Sequence, residues 1–441
     1  MSVLAAIAVL AVLILVHEAG HFMAARLQGI HANRFSLGFG PILWKYQGSE
    51  TEYAIRAFPL GGFVGFPDDD PESVYPPDDP NLLGNRPILD RAIVISAGVI
   101  ANLIFAYLVL VMQLGVVGIP EAKQPGILVP QIVAQVSQVS ETAAKAGIKP
   151  GDLIWVDGQK LKFSINEKNS QSELLATTSG KPTKLIVTRN NEQVKLSVTP
   201  QPGGYMGIQL SPSVAAAAGI KPGDVILAAN GQNFGRSLKE EAVLRELIRS
   251  SSGKSIQFTI QRGEEKLSLS ASPQPGPAGE ARIGISLAPN GPKGNPVVYR
   301  RPQNVFEVFS LAAEDFQRIV ILTAQGFWQL ISNFKETASQ VAGPVKIVQI
   351  GASIAQSDIT KLFQFAALIS INLAIINILP LPALDGGQLA FLLIEGIRGK
   401  PLPTKIQDGV MQTGLMLLLG LGIFLIVRDT ANLEGVQKFF R

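Results

Sequence analysis

Long apolar runs and polar segments alternate along this chain. The first apolar run covers residues 3–16 and resumes after two histidines until Arg26, and the others cover residues 92–117, 362–380 and 410–427. Each run is about as long as a helix needs to cross a bilayer, which takes roughly 20 residues. Four transmembrane helices are the simplest interpretation. A cleaved signal peptide competes for the first run, but no basic residue precedes this run and no small-residue cleavage site follows it.

Between the first two runs, residues 51–66 alternate in polarity and then carry two adjacent glycines, Gly61 and Gly62. This pattern predicts a β-hairpin that turns at these glycines and lies against the membrane or the spans. The following residues 67–80, PDDDPESVYPPDDP, are rich in acids and proline. They predict a flexible, solvated loop.

The middle of the chain contains an internal repeat. The segment AGIKPGDLIWVDGQ at residues 146–159 returns as AGIKPGDVILAANGQ at residues 218–232. Each copy has a short helix closed by glycine, a tight Pro-Gly-Asp turn and a strand, and in these residues the copies resemble PDZ domains. We assign them to residues 123–203 and 204–291. The boundary stays open, because YMGIQLSP and RIGISLAP also recur and could be closing strands of circularly permuted modules.

Residues 303–331 follow the repeat and are apolar on one side, with acidic and basic residues spread along the segment. That charge content favours an amphipathic helix on the membrane surface. A fifth membrane span is the alternative.

Composition narrows the chemistry. Charged residues make up only 16% of the chain, which is typical of a protein that lies partly in lipid. No cysteine is present, so disulfides, thiolate zinc ligands and cysteine nucleophiles are excluded. The formal charge is only +4, and no basic run with interleaved aromatic residues occurs, so nucleic acid is not an expected partner.

Basic residues cluster in two of the connections between the runs. They are Arg26, Arg34, Lys45 and Arg56 after the first run, and Arg398, Lys400 and Lys405 between the third and fourth. The positive-inside rule places both connections in the cytoplasm and the repeat modules outside. About 20 Å of helix precedes His17, so the polar residues of the first run should lie nearer the cytoplasmic face.

The polar residues of the first run form the motif H-E-x-x-H. His17 and His21 are four residues apart, so on a helix they share one face at the spacing that allows both imidazoles to bind one zinc ion. Glu18 is offset and could act as a general base on a metal-bound water. The structural alternative is that both histidines bond to neighbouring helices. Inside lipid that alternative must satisfy three ionisable groups separately, whereas one metal ion satisfies them together.

A catalytic zinc ion needs a third protein ligand. The remaining histidine, His31, would lie about 15 Å further along a continuous helix, so the missing ligand must be a carboxylate. Asp385 is the best candidate, because Pro380 and Pro382 break the preceding helix and a broken backbone at membrane depth usually lines a polar cavity. Alternatively, Asp385 caps the next helix.

These motifs together resemble the site-2 proteases, which are intramembrane zinc metalloproteases, and in particular the bacterial branch with tandem PDZ domains typified by the regulator of sigma-E protease. The resemblance runs along nearly the whole chain, from H-E-x-x-H to an N-x-x-P-x-P-x-L-D-G match that begins at Asn377. It implies a polytopic α-helical membrane protein with a membrane-associated β-hairpin and two extracytoplasmic PDZ-like α+β domains. The membrane halves would be residues 1–122 and 292–441.

The same resemblance implies the roles of individual residues. The implied zinc ligands, one ion per chain, are His17, His21 and Asp385, and Glu18 is the implied catalytic base. The residues implied to line the site or bind substrate are Asn102, Asn372, Asn377, Gly61 and Gly62. For Asn372, interhelical hydrogen bonding is an equal alternative. The second run keeps Gly98 and Asn102 of the family pattern but has Val99 where the family usually has proline, which leaves a kink there in doubt.

The expected function is intramembrane cleavage of single-span proteins, such as anti-sigma-factor-like proteins or leftover signal peptides, in a bacterial plasma membrane. The resemblance implies that another protease trims the substrate first and that the PDZ modules gate or read the trimmed tail. The alternative is a PDZ-based scaffold or quality-control factor whose metal site is not catalytic. A zinc or proton transporter ranks lower, since no acidic relay follows the other spans.

Overall fold

The computed structural model describes residues 2–70, 73–156, 161–166, 171–176, 182–189, 192–211, 213–275, 280–292, 296–334 and 341–431. The chain divides into two compact units. The first unit comprises Met1–Gly118 and Arg301–Arg441, and the second comprises Ile119–Arg300.

The α-helices lie in both units. Their bounds are α1 Ser2–Leu27, α2 Ile88–Val116, α3 Glu141–Lys145, α4 Val214–Ala217, α5 Glu240–Ser250, α6 Val305–Ser332, α7 Pro344–Ser357, α8 Leu362–Ile378, α9 Asp385–Arg398 and α10 Thr404–Ala431. Helix α8 ends two residues before Pro380, because proline disfavours helical backbone at the residue before it. Helix α9 ends at Arg398, and Gly399 follows with a φ of 68°, the left-handed cap conformation that glycine adopts readily.

Four helical segments among the described residues are long and apolar enough to cross a membrane. They are Ser2–Leu27, Ile88–Val116, Ile359–Ile378 and Thr404–Ala431. These segments match the four apolar runs of the sequence and fit a polytopic membrane protein. Helix α1 packs on α2, and Gly20 permits their close approach, since a Cβ at this position would lie 2.5 Å from the carbonyl oxygen of Ala97.

The hairpin consists of β1, Arg34–Gln47, and β2, Glu52–Gly65. The prediction that it turns at Gly61 and Gly62 is wrong, because the turn lies at residues 48–51 and both glycines lie inside β2. Both strands change register along their length, so residues 34–37 pair with residues 52–55 as well as with residues 62–65. Because residues 62–65 pair with residues 34–37, β2 continues past both glycines.

The acid-rich segment after the hairpin differs from the predicted solvated loop. The carboxylate of Asp68 accepts hydrogen bonds from the backbone N–H groups of Leu83 (3.0 Å) and Gly84 (2.7 Å). The carboxylate of Asp70 accepts a hydrogen bond from Arg34 at 2.8 Å. These acids therefore organise the connection between β2 and α2 through hydrogen bonds, a role that composition does not reveal.

Helix α6 is not among the four candidate spans in the described part of the chain. Acidic residues and Arg318 interrupt its apolar sequence, and Asp315 pairs with Arg318 at 3.0 Å. One side of α6 packs on α2, where the hydroxyl of Tyr107 donates a hydrogen bond to the carbonyl oxygen of Phe309. This arrangement agrees with an amphipathic helix. Its position on a membrane surface stays a prediction.

The second unit is rich in strands, and its helices are short. The strand bounds are β3 Ile119–Ala122, β4 Ile127–Leu128, β5 Ile132–Val139, β6 Leu153–Val156, β7 Leu161–Asn166, β8 Gln171–Ala176, β9 Thr183–Arg189, β10 Glu192–Val198, β11 Tyr205–Ser211, β12 Val225–Ala229, β13 Gln232–Asn233, β14 Ile256–Arg262, β15 Glu265–Ala271, β16 Gln274–Pro275, β17 Ala281–Arg282, β18 Ala288–Pro289 and β19 Val297–Arg300. One sheet has the order β10-β9-β6-β5-β11-β8-β7, and another has the order β15-β14-β12-β4-β18 with β13 beside β12.

The internal repeat folds in the same way in both of these sheets. Ser140 and Ser213 cap α3 and α4, since each hydroxyl accepts a hydrogen bond from a backbone N–H of its helix at 3.3 Å. Asp152 and Asp224 are both 1% exposed, and each accepts a backbone hydrogen bond in its Pro-Gly-Asp turn. Arg262 also donates to Asp224, which raises the pKa of the Arg262 guanidinium.

Strand pairing in the second unit crosses the domain limits predicted from the sequence. Strand β4 precedes the first copy of the repeat along the chain but pairs with β12 and β18 in the sheet of the second copy. Strand β11 lies beyond residue 203 but pairs with β5 and β8 in the first sheet. Along the sequence, the strands of the first sheet therefore lie between β4 and β12, which both belong to the second sheet. The domain limits and the assignment of both modules as PDZ domains stay predictions.

Candidate metal centre

Two turns of α1 carry the H-E-x-x-H motif. The Nε2 atoms of His17 and His21 lie 3.2 Å apart, and their rings meet nearly at right angles with centroids 4.8 Å apart. Helical spacing of four residues places both rings on one face of α1, as predicted. His31 lies elsewhere, stacked on Tyr75 and 3.7 Å from a carboxylate oxygen of Asp79.

Asp385 is the first residue of α9 and points at both imidazoles. Its Oδ2 atom lies 3.3 Å from Nε2 of His17 and 3.4 Å from Nε2 of His21. The backbone turns tightly before α9, and a Cβ on Gly386 would lie 2.2 Å from the carbonyl oxygen of Leu379. Glycine at this position therefore lets the chain fold back closely enough to direct Asp385 towards α1.

The three ligand atoms fit a single metal ion. Their separations of 3.2, 3.3 and 3.4 Å match the edge of a tetrahedron, which is about 3.3 Å when each metal–ligand bond is 2.0–2.1 Å. Asp385 Oδ2 is also buried without a hydrogen-bond partner among the described residues. An uncompensated carboxylate oxygen facing two imidazole nitrogens is the chemistry of a cation site.

Helix α2 contributes the surroundings of the imidazoles. The carbonyl oxygen of Val94 accepts a hydrogen bond from Nδ1 of His21 at 2.8 Å, which leaves Nε2 of that ring facing Asp385. No sequence pattern points to Val94, because any residue supplies a backbone carbonyl. Gly98 faces both rings, and a Cβ there would lie 2.3 Å from Nε2 of His21 and 2.8 Å from Cε1 of His17.

Of the three asparagines predicted to line the site, two contact His17. Nδ2 of Asn102 lies 3.3 Å from His17 Nδ1, and Nδ2 of Asn377 lies 3.2 Å from His17 Nε2. Asn372 is half-buried on α8, and the described residues include no hydrogen-bond partner for its side chain. The structure therefore brings Asn102 and Asn377 to the centre, and among the described residues no hydrogen bond joins Asn372 to the imidazoles.

Glu18 lies beside strand β2. A Cβ on Gly62 would approach Cγ of Glu18 to 2.8 Å, and the Glu18 carboxylate interacts with the backbone N–H of Val64. Gly61 faces away from this contact, since a Cβ there would meet the ring of Phe39 at 2.1 Å. Gly62 is thus the hairpin glycine that lets β2 approach the motif.

Four candidate membrane spans and this group of three possible ligands together indicate an integral membrane protein with a candidate metal site. A family model, "Peptidase family M50", matches residues 5–421. The chain therefore belongs to peptidase family M50, the site-2 protease family, and is a membrane metalloprotease.

Relatives from three kinds of organism agree with this assignment. A Nostoc sp. protein named "Putative zinc metalloprotease" is 58% identical over 445 residues, which cover 100% of both chains. The chloroplastic membrane metalloprotease ARASP of Arabidopsis thaliana is 39% identical over 99% of this chain and 80% of its own. The regulator of sigma-E protease RseP of Escherichia coli is 32% identical over 95% of this chain and 96% of its own.

Proposed function

We propose that this protein is a zinc-dependent intramembrane endopeptidase that cleaves transmembrane segments of single-span proteins. The observation that carries the proposal is the convergence of His17, His21 and Asp385 at tetrahedral spacing, with Glu18 on the next position of the same helix. A structural zinc site closes its fourth position with a protein ligand, whereas a catalytic site keeps that position for water or substrate. In the described part of the chain three candidate ligands converge, which favours a catalytic site.

The three ligand residues would hold one zinc ion per chain, which, when bound, polarises the scissile carbonyl and acidifies water. The role of Glu18 is to accept a proton from the attacking water and then to deliver it to the leaving amine. Its interaction with the backbone N–H of Val64 places the carboxylate beside β2. Asn377, beside His17, would donate a hydrogen bond to the substrate carbonyl or the oxyanion that replaces it.

The substrate would meet the site as an extended strand. A helix hides its peptide bonds in internal hydrogen bonds, so the substrate segment must unwind before water can attack. Residues 62–65 form an outer segment of the hairpin sheet, since they pair with residues 34–37 on one side. Glu18 lies beside this segment at Gly62, and the edge of the segment away from residues 34–37 could pair with substrate by strand addition.

The proposed substrates are anti-sigma-factor-like proteins and leftover signal peptides in a bacterial plasma membrane, trimmed beforehand by another protease. The basic connections indicate that the second unit is extracytoplasmic and that the site lies nearer the cytoplasmic face. Both repeat modules would then act as PDZ-like readers or gates for trimmed tails. Support for the substrate class comes from the name of the Escherichia coli relative, a regulator of sigma-E.

The test is cleavage of a tagged single-span anti-sigma-factor-like substrate in membranes, with bound zinc measured in parallel. Glu18→Gln should abolish cleavage and retain zinc, whereas Asp385→Asn should lose both. Glu264→Gln makes the same chemical change at an exposed position of the second unit and should behave as wild type. Cleavage by Glu18→Gln at the wild-type rate would refute the catalytic roles and favour a PDZ-based scaffold.

A further inference from the structure

Asn102 is the most completely buried polar side chain next to the metal ligands in the described part of the chain. It is 0% exposed, and its Oδ1 atom is buried without a hydrogen-bond partner among the described residues. Its backbone is fixed, because the buried hydroxyl of Ser370 donates a hydrogen bond to the carbonyl oxygen of Asn102 at 2.8 Å. Leaving an amide oxygen unpaired costs roughly 1–3 kcal/mol, so this position needs an explanation.

The two histidines need the same arrangement of protons to bind a metal through Nε2. Each ring must carry its proton on Nδ1 and donate it to an acceptor. For His21 the acceptor is the carbonyl oxygen of Val94, at 2.8 Å. For His17 the described residues offer one polar side chain at Nδ1, the amide of Asn102 at 3.3 Å. On the other side of the ring, the side-chain amide of Asn377 lies 3.2 Å from Nε2, the nitrogen that the metal would occupy.

The side-chain amide of Asn102 can accept a hydrogen bond from the Nδ1 proton of His17 in only one of its two orientations. With Nδ2 towards His17, two N–H donors would face each other. A half-turn about the Cβ–Cγ bond exchanges Oδ1 and Nδ2 without changing the shape of the side chain. Either orientation leaves one amide atom without a partner, so the hydrogen bond to the imidazole decides between them.

We propose that Asn102 is a positioning residue of the metal centre, whose side-chain oxygen accepts the Nδ1 proton of His17 and keeps Nε2 unprotonated for the metal. The proposal rests on the role of His17 as a ligand in the proposed function. In this arrangement α2 supplies a hydrogen-bond acceptor to each ring, a backbone carbonyl to His21 and a side-chain amide to His17. Ser370 adds a third support, because it holds the Asn102 backbone against α8.

The first test is zinc affinity of the purified full chain, measured by competition with a chromogenic chelator. Asn102→Leu keeps the size of the side chain but removes the acceptor, and it should weaken zinc binding by roughly 10- to 100-fold. Asn102→Asp keeps an oxygen acceptor and should bind zinc more tightly than Asn102→Leu. Gln113→Leu removes another buried amide from α2, about 16 Å away, and should leave zinc affinity unchanged.

The second test is the tautomer of His17, read by nitrogen NMR of zinc-free protein with ¹⁵N-labelled histidine. The chain has 3 histidines, so single substitutions assign every signal. Wild type and Asn102→Asp should show His17 protonated at Nδ1, and Asn102→Leu should shift the proton towards Nε2 while His21 stays unchanged.

Two outcomes would overturn the proposal. One is wild-type zinc affinity in Asn102→Leu together with an Nδ1 proton on His17. The other is equal zinc loss in the leucine and aspartate variants, which would indicate a packing role. Neither readout depends on proteolysis, so a protein that met both expectations but cleaved nothing would refute the protease roles alone.

Discussion

Gly98 offers the sharpest test of how the metal centre is built. Its backbone is helical, so helix propensity alone predicts that Gly98→Ala stabilises α2 by about 1 kcal/mol. The surroundings predict the opposite. The new Cβ would lie 2.3 Å from Nε2 of His21, 2.7 Å from its Cε1 and 2.8 Å from Cε1 of His17. Both imidazoles belong to proposed metal ligands, and neither is the free end of a flexible side chain.

The size of the required shift gives the expected effect. Ordinary contacts of a Cβ begin near 3.4 Å, so the His21 ring and α2 must separate by about 1.1 Å. Metal–ligand distances tolerate deviations of about 0.2 Å. A displacement of about 1 Å at a catalytic site can lower the rate on the order of 100-fold. We therefore expect Gly98→Ala to lose both zinc and cleavage.

The assay compares zinc content, cleavage and thermal unfolding of Gly98→Ala with those of Gly115→Ala. Gly115 lies on the same helix but is exposed, and a Cβ there would meet nothing within 4 Å. The control should keep zinc and full activity. Wild-type zinc binding and cleavage in Gly98→Ala would refute the geometry, because the two rings could not then lie where the structure places them.

Three further predictions follow from other contacts. Arg91 and Glu395 form a mostly buried ion pair between α2 and α9. Either single reversal, Arg91→Glu or Glu395→Arg, should reduce zinc content, and the double reversal should restore it. If the double variant did not recover zinc, the pair would not be the link that holds Asp385 in place. Asp224→Asn should destabilise the second unit by roughly 2–3 kcal/mol, which is less than the loss of a fully buried ion pair because Arg262 is 32% exposed. Limited proteolysis of the full chain measures this loss, and Glu264→Gln should cause none. Chelation should stop cleavage and added zinc should restore it, and chelator-resistant cleavage would contradict a metal-dependent reaction.

The sequence predicts those features of the fold that depend on local patterns. Apolar runs of sufficient length locate the four spans, and i, i+4 spacing puts His17 and His21 on one face of a helix. That Asp385 lies close to His17 could be predicted from the need for a third ligand. A chain without cysteine has few other candidates, and the broken helix before Asp385 leaves room for a polar cavity. The roles of these residues stay predictions until the substitutions are measured.

The features that the sequence does not predict depend on pairing over long distances. Two glycines in a strand signal a turn locally, yet residues 62–65 continue β2 because they pair with residues 34–37. Strand β4 has two residues and joins a sheet whose other members begin nearly a hundred residues later, so no local pattern assigns it. The support of His21 by Val94 is equally invisible, because a main-chain carbonyl has no sequence signature.

Helix α2 supplies none of the proposed metal ligands. It nevertheless contacts α1 and α9, which carry the ligands, and α8, which carries Asn377. It meets α1 at the close contact of Gly20, α8 through the hydrogen bond between Asn102 and Ser370, and α9 through the ion pair between Arg91 and Glu395. The proposed ligands come from α1 and α9, which are separated by more than 350 residues of sequence. Their relative placement within about 0.2 Å therefore depends on a common support, and α2 provides it.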